Sequence, residues 1–69
     1  MVYVQSTALE RVTYDRAHHT LQATFRGSGR TYLYHDVPQE VYDGLMFADP
    51  LGAYFNAHIR DCFTSEELN

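Results

Sequence analysis

Leu21-Gln22-Ala23-Thr24-Phe25-Arg26-Gly27-Ser28-Gly29-Arg30-Thr31-Tyr32-Leu33-Tyr34 is the stretch on which the fold turns. Leu21, Ala23 and Phe25 alternate with Gln22, Thr24 and Arg26. Tyr32 and Tyr34 alternate with Thr31, Leu33 and His35. A period of two in β-branched and aromatic residues marks a strand. Gly27-Ser28-Gly29 between the two runs reads as a tight hairpin turn, because glycine tolerates positive φ. Upstream, Val12 and Tyr14 alternate with Arg11 and Thr13, which predicts another strand. Asp15 to His19 is a short polar connector, so the strands form an antiparallel meander. Val2 and Val4 are candidates for a further, short edge strand.

Downstream the period changes to near 3.6. Pro38 suits the first turn of a helix, and Val41, Tyr42, Leu45 and Met46 then fall on one stripe. Asp49-Pro50 stops that helix and starts another, with Asp49 as N-cap and Pro50 at the first helical position. Tyr54, Phe55, His58, Ile59 and Cys62 continue at helical spacing. The tail, Ser65-Glu66-Glu67-Leu68-Asn69, is polar, and residues 64–69 are expected to fray.

The fold class that follows is α+β. An antiparallel sheet of three strands, or four with the N-terminal edge, is covered on one face by two short helices. The other face is expected to be solvated, carrying Arg11, Thr13, Gln22, Thr24 and Arg26. Residues 1–69 make a single domain. A chain of this length buries only about 60% of the surface that its unfolded form exposes. The core is thin, and a deep private active site would remove side chains that the fold needs. Six Tyr and four Phe, without Trp, supply large rings to a small core.

Composition narrows the classes further. Apolar residues are 45% and charged residues 20%, which is globular rather than disordered. The one cysteine, Cys62, excludes a disulfide framework. No apolar run reaches membrane-spanning length, and Met1-Val2-Tyr3-Val4-Gln5 lacks the pattern of a signal peptide. The expected location is cytoplasmic, with no membrane association. The net charge is -4, whereas dedicated nucleic-acid binders are usually basic. All five basic residues are Arg, the better residue for bidentate phosphate or carboxylate contacts, although a GC-rich genome equally explains the absence of Lys.

Tyr14-Asp15, Leu21, Phe25, Gly29, Tyr32-Leu33-Tyr34, Val37-Pro38, Val41-Tyr42, Leu45, Ala48, Gly52, Tyr54-Phe55-Asn56 and Ile59-Arg60 together resemble the KTSC domain. The resemblance runs from about Ser6 to Phe63. That family is named for its occurrence at the C-terminus of some lysyl-tRNA synthetases, and it also occurs as small stand-alone bacterial proteins. The resemblance implies an accessory module, with RNA binding the conjecture that the synthetase association suggests. Three positions depart from the family pattern. Pro50 stands where Ser is common, and Glu66 and Glu67 stand where basic residues are common.

The candidate nucleic-acid-binding residues are Arg11, Arg26, Arg30, Tyr32, Tyr34, Asn56 and Arg60. The arginines would meet phosphates and the tyrosines would stack bases if exposed. Each has a bland alternative. Tyr32 and Tyr34 pack under the helices if Leu33 and His35 face outward, which the need for ring area favours. Asn56 and Arg60, four apart on a helix, share a face; Asn56 could instead satisfy a loop, and Arg60 could pair with Asp43 or Asp61. Arg11 and Arg26 could simply belong to a solvated sheet face. His58 and Cys62 are also four apart, but a structural zinc site needs four ligands, and no recognised spacing supplies them. Free Cys on an apolar stripe is more often a small buried hydrophobe than a nucleophile. No metal, no cofactor and no catalytic activity are expected. The leading expectation is a small accessory binding module, for which the resemblance suggests RNA or a translation partner. The rival is a protein-interaction module or homodimer that uses open sheet edges.

Overall fold

The computed structural model of the protein describes residues 2–3 and 8–68. The strands are β1 (Val2–Tyr3), β2 (Leu9–Asp15), β3 (Thr20–Phe25), β4 (Thr31–Tyr34) and β5 (Ser65–Glu67). They form one antiparallel sheet in the order β1-β2-β3-β4-β5. Between β4 and β5 lie α1 (Gln39–Phe47) and α2 (Leu51–Phe55), and α2 runs into a π-helical turn, Asn56–Arg60. The fold class is α+β, as expected, but the sheet is wider than expected. Val2 does join an edge strand, while Val4 lies outside the described residues. Ser65–Glu67, in the stretch expected to fray, is the opposite edge strand. Its pairing is closed by His35 N–H to Thr64 O and Leu68 N–H to Thr31 O, each 2.8 Å.

Cross-strand partners share a face of the sheet. Val12, Ala23, Tyr32 and Glu67 form one such row, and Tyr14, Leu21, Tyr34 and Ser65 form the next. This is the face the helices cover. Leu9, Val12, Leu21, Ala23 and Tyr34 from the sheet side join Val37, Leu45, Phe55 and Ile59 in one buried cluster. Leu9 and Val12 are three apart yet both fully buried. The register shifts between Leu9 and Arg11, so Glu10 is the extra residue of a β-bulge that brings both onto the same face.

The other face carries Arg11, Thr13, Gln22 and Leu33, each half-buried. Thr24 departs from expectation there, at 5% exposure. Its hydroxyl pairs with that of Thr31 across the β3–β4 ladder at 2.9 Å, so neither polar group is buried without a partner. The connecting turns follow the side-chain chemistry. Gly29 adopts φ +72 in the β3–β4 hairpin, a conformation that L side chains rarely take. The Asp15 carboxylate accepts from Ala17 N–H and His18 N–H in the β2–β3 turn.

The helix starts and stops differ from the expected ones by small amounts with clear causes. Pro38 and Pro50 are themselves the N-caps of α1 and α2, held extended at ψ 150 and 139. Asp49 therefore sits one residue too early to cap. α2 does not continue as a regular helix to Cys62, because the chain widens into the π-helical turn and ends at Asp61. Phe55 and Ile59 stay buried, but Cys62 falls beyond the helix and is exposed. His58 is exposed as well, its ring tilted against Tyr54 at 4.4 Å.

α1 and α2 approach closely at Gly44. A Cβ there would collide with the Tyr54 hydroxyl and lie 2.8 Å from its Cζ. Tyr54 is half-buried and donates to Val41 O at 3.2 Å, so the ring has little freedom to withdraw. We expect Gly44→Ala to destabilise the domain by about 1–2 kcal/mol, the overpacking cost exceeding the gain in helix propensity. In a Tyr54→Ala background the same change should become neutral or favourable, which denaturant melts arranged as a double-mutant cycle would read.

The phenols make a second prediction. Burial pushes the Tyr14 hydroxyl above its ordinary range, with the Asp43 carboxylate adding to the effect. Burial also raises Tyr34, opposed by the Arg60 cation. A raised phenol holds its proton more tightly in the folded state. The stability this contributes is present below the ordinary phenol value of about 10 and is lost as pH rises through the raised values. Phenolate absorbance should therefore show part of the six-tyrosine signal rising late, together with unfolding. An alkaline titration superimposable on that of the denatured chain would contradict this.

Candidate functional site

The candidate site grows from the β3–β4 hairpin. Phe25 ends β3, and its backbone N–H donates to Arg30 O at 2.8 Å. Arg26 is the next residue in the chain, and Arg30 enters β4. Phe25 and Tyr32 meet edge to face at 5.6 Å on the helix-covered side of the sheet. The last residue of the π-helical turn, Arg60, lies over the same ring, its guanidinium carbon 5.9 Å from the Phe25 centroid. Arg60 thus covers one half-buried aromatic side chain, and Arg26 and Arg30 flank the turn that follows it.

Each cation is held by what surrounds it. Arg26 donates from a guanidinium nitrogen to Leu9 O at 3.4 Å, tying the hairpin to the start of β2. Arg30 is 60% exposed along its side chain and lies 3.6 Å from the Glu67 carboxylate. Tyr32 donates its hydroxyl to that same carboxylate oxygen at 3.4 Å. Arg60 donates to Asn56 Oδ1 at 3.5 Å, one helical step back. Asp61 is near enough to the Tyr34 hydroxyl to oppose the effect of Arg60 on it. The patch is therefore cationic on balance, with Glu67 and Asp61 as its acidic members.

Of the residues singled out from the sequence, Arg26, Arg30, Tyr32, Asn56 and Arg60 come together here. Two do not join them as expected. Tyr34 is 3% exposed, with its ring edge to face against Phe55 at 5.4 Å, so it is core and cannot stack a base. Arg11 projects on the opposite face of the sheet, beside Glu10 at 3.7 Å. The parity left open by the sequence is thus settled by Phe55, which packs on Tyr34 and Phe25; Tyr32 follows inward by alternation, against Phe25, and Leu33 and His35 turn outward. Arg60 meets Asn56 and the Phe25 ring rather than the carboxylate of Asp43 or Asp61.

Two residues of the site were not anticipated in that role. Phe25 reads as core from its alternation, and nothing local signals that an arginine will cover it. Glu67 reads as tail, although two adjacent carboxylates near the chain's end were visible as an acidic step. Among the described residues, no group of three or more His, Cys, Asp or Glu is placed to hold a metal ion. Cys62 makes one weak contact, Sγ to Ala57 O at 3.8 Å. No described helix is long and apolar enough to cross a membrane.

Comparison with known proteins agrees with this fold. The chain is 40% identical over 65 residues to a protein of Tsukamurella paurometabola, covering 94% of this chain and 96% of that one. It is 42% identical over 55 residues to an uncharacterized protein of Stutzerimonas stutzeri, covering 80% and 76%. The crystal structure of a KTSC domain protein from Yersinia pestis superposes with a TM-score of 0.94 at 28% identity, over 99% of this chain and 94% of that one. The family model for the KTSC domain matches residues 5–63. With that match over most of its length and a 40% identical relative covered almost end to end, the chain belongs to the KTSC domain family.

Proposed function

We propose that this domain is a non-catalytic, cytoplasmic binding module for single-stranded RNA, and that its contact surface is the β3–β4 hairpin end. The observation that carries the reading is that Arg60 lies over the Phe25 ring while Arg26 and Arg30 flank the turn that follows it. Guanidinium groups match phosphate geometry in a bidentate manner, and half-exposed rings beside them offer a base a surface to stack on. Tyr32 supplies a hydroxyl at the same place. Asn56 orients Arg60 from the helix side. The β3–β4 connection contributes two cations and the π-helical turn one, so the patch exists only in the folded chain.

A sheet-edge protein partner is the other reading, and the exposure of all three residues of β5 favours it. Self-pairing through that edge is disfavoured on its own terms. An antiparallel β5–β5 contact centred on Glu66 would set like charges opposite one another.

Salt separates the two. Three phosphate contacts on a single strand predict a log–log salt slope of about −2, hence a loss of about tenfold to twentyfold between 50 and 200 mM salt. Backbone amide shifts, followed while a short oligouridylate is added at low salt, should move at Arg26, Arg30, Tyr32 and Arg60. Arg60→Ala should weaken binding by about tenfold, and Arg11→Ala should leave it unchanged within about twofold. Shifts centred on Arg11, Thr13 and Gln22, or an unchanged spectrum at low salt, would overturn the assignment. Salt-insensitive shifts confined to β5 would favour the protein partner instead.

A further inference from the structure

We infer that the C-terminal strand regulates this site, with Glu67 acting as an internal anion that occupies the Arg30 and Tyr32 positions a phosphate would take. The inference rests on the RNA-binding reading above and deepens it. One carboxylate oxygen of Glu67 lies 3.6 Å from the Arg30 guanidinium and 3.4 Å from the Tyr32 hydroxyl. Those are the groups through which the hairpin would grip an incoming phosphate. Glu67 reaches them because it sits directly opposite Tyr32 in the β4–β5 register, on the same face of the sheet as Phe25.

The strand that delivers Glu67 is built to yield. Ser65, Glu66 and Glu67 are all exposed, so β5 buries no apolar side chain of its own. It is held by its backbone ladder to β4, by the two terminal hydrogen bonds from His35 and Leu68, and by exposed polar contacts. His35 Nε2 and Glu66 Oε1 lie 3.0 Å apart on the other face of the sheet. Exposed contacts such as this one and the Arg30–Glu67 ion pair contribute little, and the ion pair is screened by salt. Segments with few buried contacts open at low free-energy cost while the core stays folded. Exchange of one anion for another on Arg30 therefore needs no rearrangement of the core: the Glu67 side chain swings away, and the ladder of β5 either holds or frays.

The two acidic residues of β5 have different duties on this account. Glu67 competes with ligand. Glu66 contacts His35, on the face away from Arg30 and Tyr32, and only helps to seat the strand. Removal of the Glu67 charge should tighten binding, whereas removal of an equal charge elsewhere should not. Glu40, in the first turn of α1, serves as the remote control because it is exposed and changes net charge by the same amount.

The test compares oligouridylate binding by the full chain and by Glu67→Gln, Glu66→Gln and Glu40→Gln, at low and physiological salt. Glu67→Gln should bind about two- to fivefold more tightly at low salt, with the gain shrinking as salt rises. Glu40→Gln should stay close to the unaltered chain, with Glu66→Gln between them. Amide spectra of Glu67→Gln should change only along β4 and β5, showing that the rest of the fold is intact. Equal gains for Glu67→Gln and Glu40→Gln would overturn the gate while leaving the RNA reading standing, because net charge alone would then explain them. Absence of binding by every form at low salt would overturn both. Binding by Glu67→Gln alone would support both and show that the gate is closed in the resting domain.

Discussion

Phe55 joins the sheet to the helices, and most other placements in the molecule follow from it. The residue ends α2, is 1% exposed, and meets Phe25 at 5.7 Å and Tyr34 at 5.4 Å, each nearly edge on. Edge-to-face contact between rings is directional, so it fixes orientation as well as burial. It commits Phe25, Tyr32 and Tyr34 to the covered side of the sheet. Through the alternation of β4 it turns Leu33 and His35 outward, which gives Glu66 a partner on the far face and Glu67 one on the near face. One turn after Phe55 the chain buries Ile59, and the next residue, Arg60, arrives over the Phe25 ring. The candidate site is thus a consequence of core packing rather than an addition to it.

What could be read in advance divides along the same physical lines. The β2, β3 and β4 periods were legible because one face of each strand is buried, and burial imposes a period of two. Gly29 marked its turn because its backbone needs positive φ. The tail was unreadable for the opposite reason. β5 buries no side chain, so it leaves no hydrophobic pattern, and only its backbone pairing to β4 makes it a strand. The bulge at Glu10 was also silent, since a polar residue in a strand looks the same whether it is paired or extra. Cys62 matched the helical period and still emerged exposed, because the π-helical turn changes the angle between successive residues before the chain reaches it.

The site was partly legible. Arg26 and Arg30 had to be neighbours once the hairpin was assigned, because they flank its turn. Asn56 and Arg60 had to share a face at a spacing of four. That the two pairs meet depends on where the end of α2 lands on the sheet, which no local pattern encodes. The grouping of Arg11 with the others failed because a strand position says which face a residue takes relative to its neighbours, and Arg60 belongs to the opposite face.

Net charge gave the weakest guidance, and the fold shows why. Asp15 and Asp43 both act on Tyr14, at the end of β2 far from Phe25. Asp15 is in addition held below the usual carboxylate range, first by its hydrogen bond with His18 and also by the backbone of its turn. Leu9 faces Phe25 at one end of the β2–β3 ladder, and Asp15 faces Thr20 at the other. Five residues of extended strand separate Thr20 from Phe25, about 17 Å. That is about two Debye lengths in physiological salt. The acidic end of the sheet is therefore largely screened from the arginine end. A chain of net charge -4 can carry a locally cationic surface, provided that the short-range acids beside that surface are few. Here they are Asp61 and Glu67, and Glu67 is the one in contact with Arg30.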